Sequence, residues 1–305
     1  MVDKLKYKAG CLILAAFVAS PWAYAEVMFE GYSIIRSGTT PIGYTIQRYE
    51  FDAKKKQFTA TSFLKTNATG GDLTESLKAV ANDKFQPVSY QYVTKTGDKA
   101  KMIDAKFAKD KMTGTRTDGK TPHPISVAVK KGTFLSTFLG YLMLQNGLKA
   151  EKKFVYSAIA EEDGAAYSGE ALIKNEEDYR GQKAYRVVNN FKGTEFISFV
   201  TAKGEVLGTT SPLQNISTEL VANPAEATKG FILPNDTLKI LFGAVPTGKV
   251  NVLASKLTIL QGDAPTVAPQ PSTPSPKHPT TKVPFTPAPK VPDPKPSTAE
   301  GSTVK

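Results

Sequence analysis

Val88-Ser89-Tyr90-Gln91-Tyr92, a break at Gly97-Asp98, then Ile103-Asp104-Ala105-Lys106-Phe107: this stretch decides the fold. Apolar and polar side chains alternate in both limbs. A period of two places one set on a buried face and the other in water, which is the signature of paired strands. The glycine at the break supplies the positive φ that a tight hairpin needs. The same texture extends in both directions. Residues 27–36 and 43–51 flank the turn-like Ser37-Gly38-Thr39-Thr40-Pro41, and 58–64 alternate again. Further strands are predicted over 154–159, 165–173, 184–190 and 195–201, with turns at Gly70-Gly71, Asp118-Gly119, Asp163-Gly164 and Lys203-Gly204. Strands at this spacing, joined by hairpins, predict an antiparallel meander and exclude the strand–helix alternation of doubly wound or TIM-barrel folds.

One segment departs from the pattern. Thr133-Phe134-Leu135-Ser136-Thr137-Phe138-Leu139-Gly140-Tyr141-Leu142-Met143-Leu144, ending at Asn146-Gly147, predicts a helix near 133–147 with Thr133 as N-cap and Gly147 as stop. It is apolar on nearly all sides and too short to span a bilayer, so the concave face of the sheet is its natural cover. A second short helix is expected from Asp236 to a stop at Gly243. The predicted fold is therefore mainly β: a curved antiparallel meander, a half-open or closed β-barrel, packed on one central helix.

Both ends of the chain are distinct from this domain. Lys4, Lys6 and Lys8 precede an apolar run at 11–19, which Ser20-Pro21-Trp22 breaks before Ala23-Tyr24-Ala25. These three regions are those of a signal peptide, with cleavage between Ala25 and Glu26. The run is about half the ~20 residues of a membrane span. Cys11 opens the run rather than following it, which argues against a lipoprotein anchor. The mature chain is thus expected to be exported to the periplasm or exterior of a bacterium, with no transmembrane span. From Ala264 to Lys305 lie 12 of the 21 prolines. Such a segment lacks amide donors and apolar surface, so a disordered, Pro-rich tail is expected over 264–305, with a β-rich domain over 26–263.

Composition narrows the chemistry. A single Cys and two His among 305 residues exclude a disulfide scaffold, a Cys-rich zinc module and most His-based metal sites. No G-x-S-x-G elbow, H-E-x-x-H or P-loop occurs, and His123, set between Pro122 and Pro124, reads as an exposed loop residue. Glu161-Glu162-Asp163 and Glu176-Glu177-Asp178 are the densest acidic clusters; each adjoins a predicted turn and reads as a solvated hairpin tip. No catalytic residue, metal or cofactor is called for. The net charge of +11, spread over Lys54-Lys55-Lys56, Lys130-Lys131, Lys152-Lys153 and the tail lysines, favours anionic envelope polymers or lipid head groups. Without a stripe of interleaved arginines and aromatics, nucleic acid is not an expected partner.

Gly31-Tyr32-Ser33-Ile34, Ile42-Gly43-Tyr44, the apolar helix followed by Phe154-Val155-Tyr156, and the closing hairpin at 201–208 resemble a family of exported Gram-negative proteins of unknown function with one curved antiparallel sheet. The resemblance covers residues 27–210. It implies export and a β fold similar in shape to the periplasmic lipoprotein carriers, whose half-open barrel wraps a helix and shelters acyl chains. On that analogy the helix is a plug or lid over a lipid or acyl ligand, lined by Phe134, Phe138, Leu139, Tyr141 and Leu142. The alternative for the same side chains is a sealed core. The alternative for the whole protein is a structural or interaction module tethered to the cell wall or an envelope partner through its Pro-rich tail.

Overall fold

The structure, a computed structural model, describes residues 25–253. The predicted signal peptide and the Pro-rich tail lie outside the described residues. The chain first lays down eight antiparallel strands: β1 (Glu26–Ser37), β2 (Thr40–Asp52), β3 (Gln57–Thr66), β4 (Leu73–Asn82), β5 (Pro87–Thr96), β6 (Lys99–Ala108), β7 (Lys111–Asp118) and β8 (Thr121–Ala128). A two-residue strand β9 (Phe134–Leu135), a 3-10 turn (Ser136–Phe138) and helix α1 (Leu139–Gln145) follow. A second meander returns through β10 (Lys153–Ala160), β11 (Ala165–Tyr179), β12 (Gln182–Phe191), β13 (Thr194–Val200), β14 (Val206–Ser211) and β15 (Ile216–Val221). Two short helices, α2 (Pro224–Ala227) and α3 (Asn235–Phe242), close the described chain. No described helix is long and apolar enough to cross a membrane.

All fifteen strands belong to one curved, mixed sheet that does not close. Its order runs from β8 back to β1, across to β15, and from there to β9. The first and last strands therefore meet in the middle, antiparallel, with Tyr32 opposite Val221. Pairing is parallel only between β9 and β10. The two outer edges are protected in different ways. One is the two-residue β9. The other is β8, where Pro122 and Pro124 occupy alternate positions, a placement that strands tolerate at an edge. His123 is exposed, as expected, but it sits on this edge strand opposite Arg116 and not in a loop. The prolines misdirect the sequence reading because β8 has no outer neighbour that needs their missing amides.

The concave face wraps the 3-10 turn and α1. One row across the sheet explains how the sheet curves so tightly: Tyr49, Ala60, Ala79, Tyr90, Ala105 and Gly114 lie opposite one another in register on β2 to β7. The small residues leave room between the two tyrosines for Phe85, Leu135, Phe138 and Tyr141 to enter. The convex face of β1 to β3 and β15 is covered in turn by the C-terminal segment. Tyr32, Ile34, Tyr44, Ile46 and Phe63 pack there against Leu238 and Phe242 of α3. Strands β1 and β2 are thus buried on both sides.

A buried ion pair pins this segment. Arg48 Nη2 lies 2.5 Å from Glu30 Oε2, and the two residues face each other across β1 and β2. Arg48 also donates to the Phe242 carbonyl oxygen at 2.6 Å, while the Thr247 and Gly248 amides donate to Glu30 at 2.6 Å each. Both charges are therefore hydrogen-bonded as well as paired, the condition for burying them without a large penalty.

The central helix is shorter than the sequence predicts. Residues 134 and 135 are drawn into pairing with Ala158 and Ile159 of β10. Thr133 consequently bonds to Ser157 Oγ at 2.9 Å instead of capping, and the regular helix is confined to 139–145. Gly147, at φ 79°, ends the turn that follows, as expected. The second helix begins one residue before Asp236, at Asn235, and stops at Gly243.

Candidate functional site

Between α1 and the sheet lies a cavity of about 240 Å³, lined by β1, β2, β12 to β15, α1 and the turns beside it. At ~30 Å³ per water molecule, it is the size of roughly eight waters. Strand alternation builds its floor. Ser33 on β1 faces Thr45 on β2, and Ser198 on β13, Thr209 on β14 and Thr218 on β15 stand opposite one another in a row. Gln47 and Asn189 add two amides. The roof is different in character: Leu139, Tyr141 and Met143 come down from α1, and Phe29 and Tyr49 close one side.

Several floor groups are free to meet a guest. Ser198 and Thr209 hydroxyls share a 2.9 Å bond, and Asn189 accepts from Tyr156 at 2.6 Å. The side chains of Ser33, Thr45, Gln47 and Thr218 have no hydrogen-bond partner among the described residues, yet they line the space. Polar groups in such a position are stable only when something in the cavity meets them. The single carboxylate, Glu205, accepts from Thr201 Oγ1 at 3.1 Å, and burial pushes its pKa up. No lysine or arginine lines the cavity.

The roof is tied down at its entry. Glu161, at the end of β10 and 3% exposed, accepts from Ser136 Oγ at 2.5 Å and from the Thr137 amide at 3.1 Å. Tyr49 donates to the Thr137 carbonyl oxygen at 3.1 Å. Burial pushes the Glu161 carboxyl up to about 7, against the lowering effect of these two bonds. The same burial raises Tyr49 and Tyr141. Farther along, Gly140 lies so close to the β13–β14 turn that a Cβ there would stand 2.6 Å from the Gly204 carbonyl oxygen. The helix is seated against that turn, and only glycine permits the approach.

Of the five residues read from sequence as ligand-lining, the structure brings Leu139 and Tyr141 to the cavity. Phe134 and Phe138 are sealed: Phe134 packs on Tyr156, and Phe138 sits among Tyr49 and Phe85. Leu142 packs against the same core. The first acidic cluster is corrected at its first member. Glu161 is a buried tie and not a solvated tip residue, whereas Glu162 and Asp163 do sit at the turn and pair with Lys192. Glu176, Glu177 and Asp178 are exposed, though on β11 and not in the turn itself. Ser33, Thr45, Gln47, Ser198 and Thr218 went unread because an inward polar position on a strand looks, in sequence, like an outward one. No grouping of metal-ligating side chains is present among the described residues.

Comparison with known proteins places this geometry in context. The model of a family described as "Protein of unknown function (DUF3108)" matches residues 31–181. That span runs from the middle of β1 through β11 and so includes α1, Glu161 and the Ser33, Thr45 and Gln47 part of the cavity floor. A search of curated proteins found no match. Among solved structures, a β-barrel-like protein of unknown function, DUF1849, from Brucella abortus is similar at 11% identity and a TM-score of 0.46, covering 64% of this chain and 98% of its own. A DUF1089 family protein from Pseudomonas aeruginosa is similar at 11% identity and a TM-score of 0.32, covering 69% of this chain and 97% of its own.

Proposed function

We propose that this is an exported, non-enzymatic envelope protein that shelters a small amphipathic molecule, such as one end of a lipid, between its curved sheet and α1. The observation that carries the reading is the two-sided cavity: the hydroxyls of Ser33, Thr45 and Thr218 and the amide of Gln47, without side-chain partners among the described residues, on the floor, and aliphatic and aromatic side chains on the roof. A guest with a polar flank and an apolar flank satisfies both at once, which neither water nor an alkane does. The absence of a lining cation disfavours a guest that presents its carboxylate or phosphate inward. Export is supported by the basic and apolar segments before Ala25, and β1 begins at Glu26, so cleavage there leaves the sheet whole.

Titration with a fluorescent fatty alcohol and the matching fatty acid tests the reading. Saturable uptake is expected, stronger for the alcohol. Ser198→Leu, which fills the floor, should weaken uptake at least tenfold while leaving the far-ultraviolet circular dichroism unchanged. A folded wild-type chain that takes up neither probe removes the proposal.

A further inference from the structure

We infer that one rim of the first meander is a docking surface for an anionic lipid bilayer. Because the strands alternate in direction, the β2–β3, β4–β5 and β6–β7 turns and the segment after β8 all emerge at the same end of the sheet. These turns are basic. The first carries Lys54, Lys55 and Lys56, the second Lys84, the third Lys109, and the segment after β8 Lys130 and Lys131, all exposed. Only Lys55 has an ion pair among the described residues, a 3.4 Å contact with Asp52. Within these turns the acids are Asp83 and Asp110 alone. The opposite end differs: the β1–β2, β3–β4, β5–β6 and β7–β8 turns hold Asp72, Asp98 and Lys120 as their only charges. The basic excess of the meander's turns is therefore concentrated on one rim.

The geometry of the rim favours a surface over a single strand of polymer. Strands stand ~4.8 Å apart, so its turn ends spread over about 30 Å. Where the last three of these turn ends meet opens a groove of about 410 Å³, lined by Lys109, Lys130 and Lys131 beside Asp110, Asn82 and Gln86, with Phe107, Val129 and Pro87 as its apolar part. Three cations beside apolar side chains suit a phosphate head group and the start of its acyl chains, whereas a hydrophilic polyanion leaves Phe107, Val129 and Pro87 unused. The rim also reaches the cavity roof, since Gln145 at the end of α1 donates to the Asp83 carbonyl oxygen at 3.3 Å. The helix that covers the proposed ligand thus ends on the proposed membrane face. The inference stands on the rim's own charges and holds whether or not the cavity takes a guest.

Co-sedimentation of the purified chain with vesicles tests it, using equal parts phosphatidylglycerol and phosphatidylcholine against pure phosphatidylcholine. A lysine near an anionic surface contributes about fivefold in partitioning, so losing three should cost about a hundredfold. Lys109→Glu, Lys130→Glu and Lys131→Glu together also add repulsion and should lower binding to the anionic vesicles at least that much. The matched variant Lys95→Glu, Lys99→Glu, Lys120→Glu, at the opposite end, should stay within about threefold of wild type. Equal losses in the two variants, or binding to a soluble polyanion but not to vesicles, overturn the inference. So does unchanged sedimentation of the rim variant. Circular dichroism of each variant establishes that the fold is retained.

Discussion

Glu161→Gln is the most direct probe of the roof. In the folded chain the Glu161 carboxyl is pushed up to about 7 by burial, against 4.5 for an ordinary glutamate. The folded state therefore holds this proton more tightly than the unfolded chain does. As pH rises through that window the unfolded chain ionises first, so the group's contribution falls progressively and reaches its full deficit above pH 7. Taking ~1.4 kcal/mol per pH unit, the deficit is about 3 kcal/mol when complete, of which 2 to 3 kcal/mol develops between pH 5 and pH 8. Glutamine cannot ionise. Its Oε1 replaces the acceptor for the Thr137 amide, and its amide donates to Ser136 Oγ, so the tie survives in outline. Urea unfolding of both chains at pH 5, 6, 7 and 8 isolates the effect, because other titrating groups cancel in the difference. The variant should gain 2 to 3 kcal/mol on wild type across that range. A difference that does not change with pH would refute the burial argument.

Arg48→Leu should destabilise the fold by about 3 to 5 kcal/mol, since Glu30 is then left charged and buried beneath residues 242–248. A loss under ~1 kcal/mol in urea unfolding would show that the pair is dispensable. Gly140→Ala gains up to ~1 kcal/mol of helix propensity but drives a Cβ to 2.6 Å from the Gly204 carbonyl oxygen. A net loss of stability and a changed near-ultraviolet tyrosine spectrum are expected, and a stabilised variant with an unchanged spectrum contradicts the close seating of α1. Removing residues 264–305 should leave both the melting transition and probe uptake unaltered, because the residues that line the cavity lie between 29 and 218. A tenfold drop in uptake would place the tail in the site.

The strands that were legible in the sequence share a clear contrast between their two faces. Residues 88–92 and 103–107 show it best, and they are central in β5 and β6. Strand β4 was not read, because its inward Ala79 and Ala81 are too small to mark a hydrophobic stripe, although that smallness is what admits the tyrosines and Phe138. Strand β8 was masked by its prolines. At the β11–β12 hairpin only Gly181 signals a turn in sequence; Arg180 also takes a positive φ, 55° beside 75° for Gly181, which its chemistry does not announce. The site was half legible. Leu139 and Tyr141 announce themselves by being apolar, but a buried hydroxyl such as Ser33 or Thr218 is defined by which strand it faces, and that is set by pairings almost 190 residues apart in the chain. Glu161 was misassigned for the same reason, since its partners Ser136 and Thr137 belong to a different element.

The placement of β15 beside β1 imposes an order on biogenesis. A chain emerging amino-terminus first presents β1 long before its neighbour exists, so one flank of the oldest hairpin stays an open template until the youngest strand arrives. Closure of that seam is the contact of greatest loop length in the sheet, and folds governed by such contacts assemble slowly. During the interval Phe29 and Ser33 on the inner face lack Leu220 beside them, and the nascent protein is vulnerable to mispairing between copies. Chaperone dependence during folding, and a sharp yield penalty for anything that delays residues 216–221, are the expected consequences of this wiring.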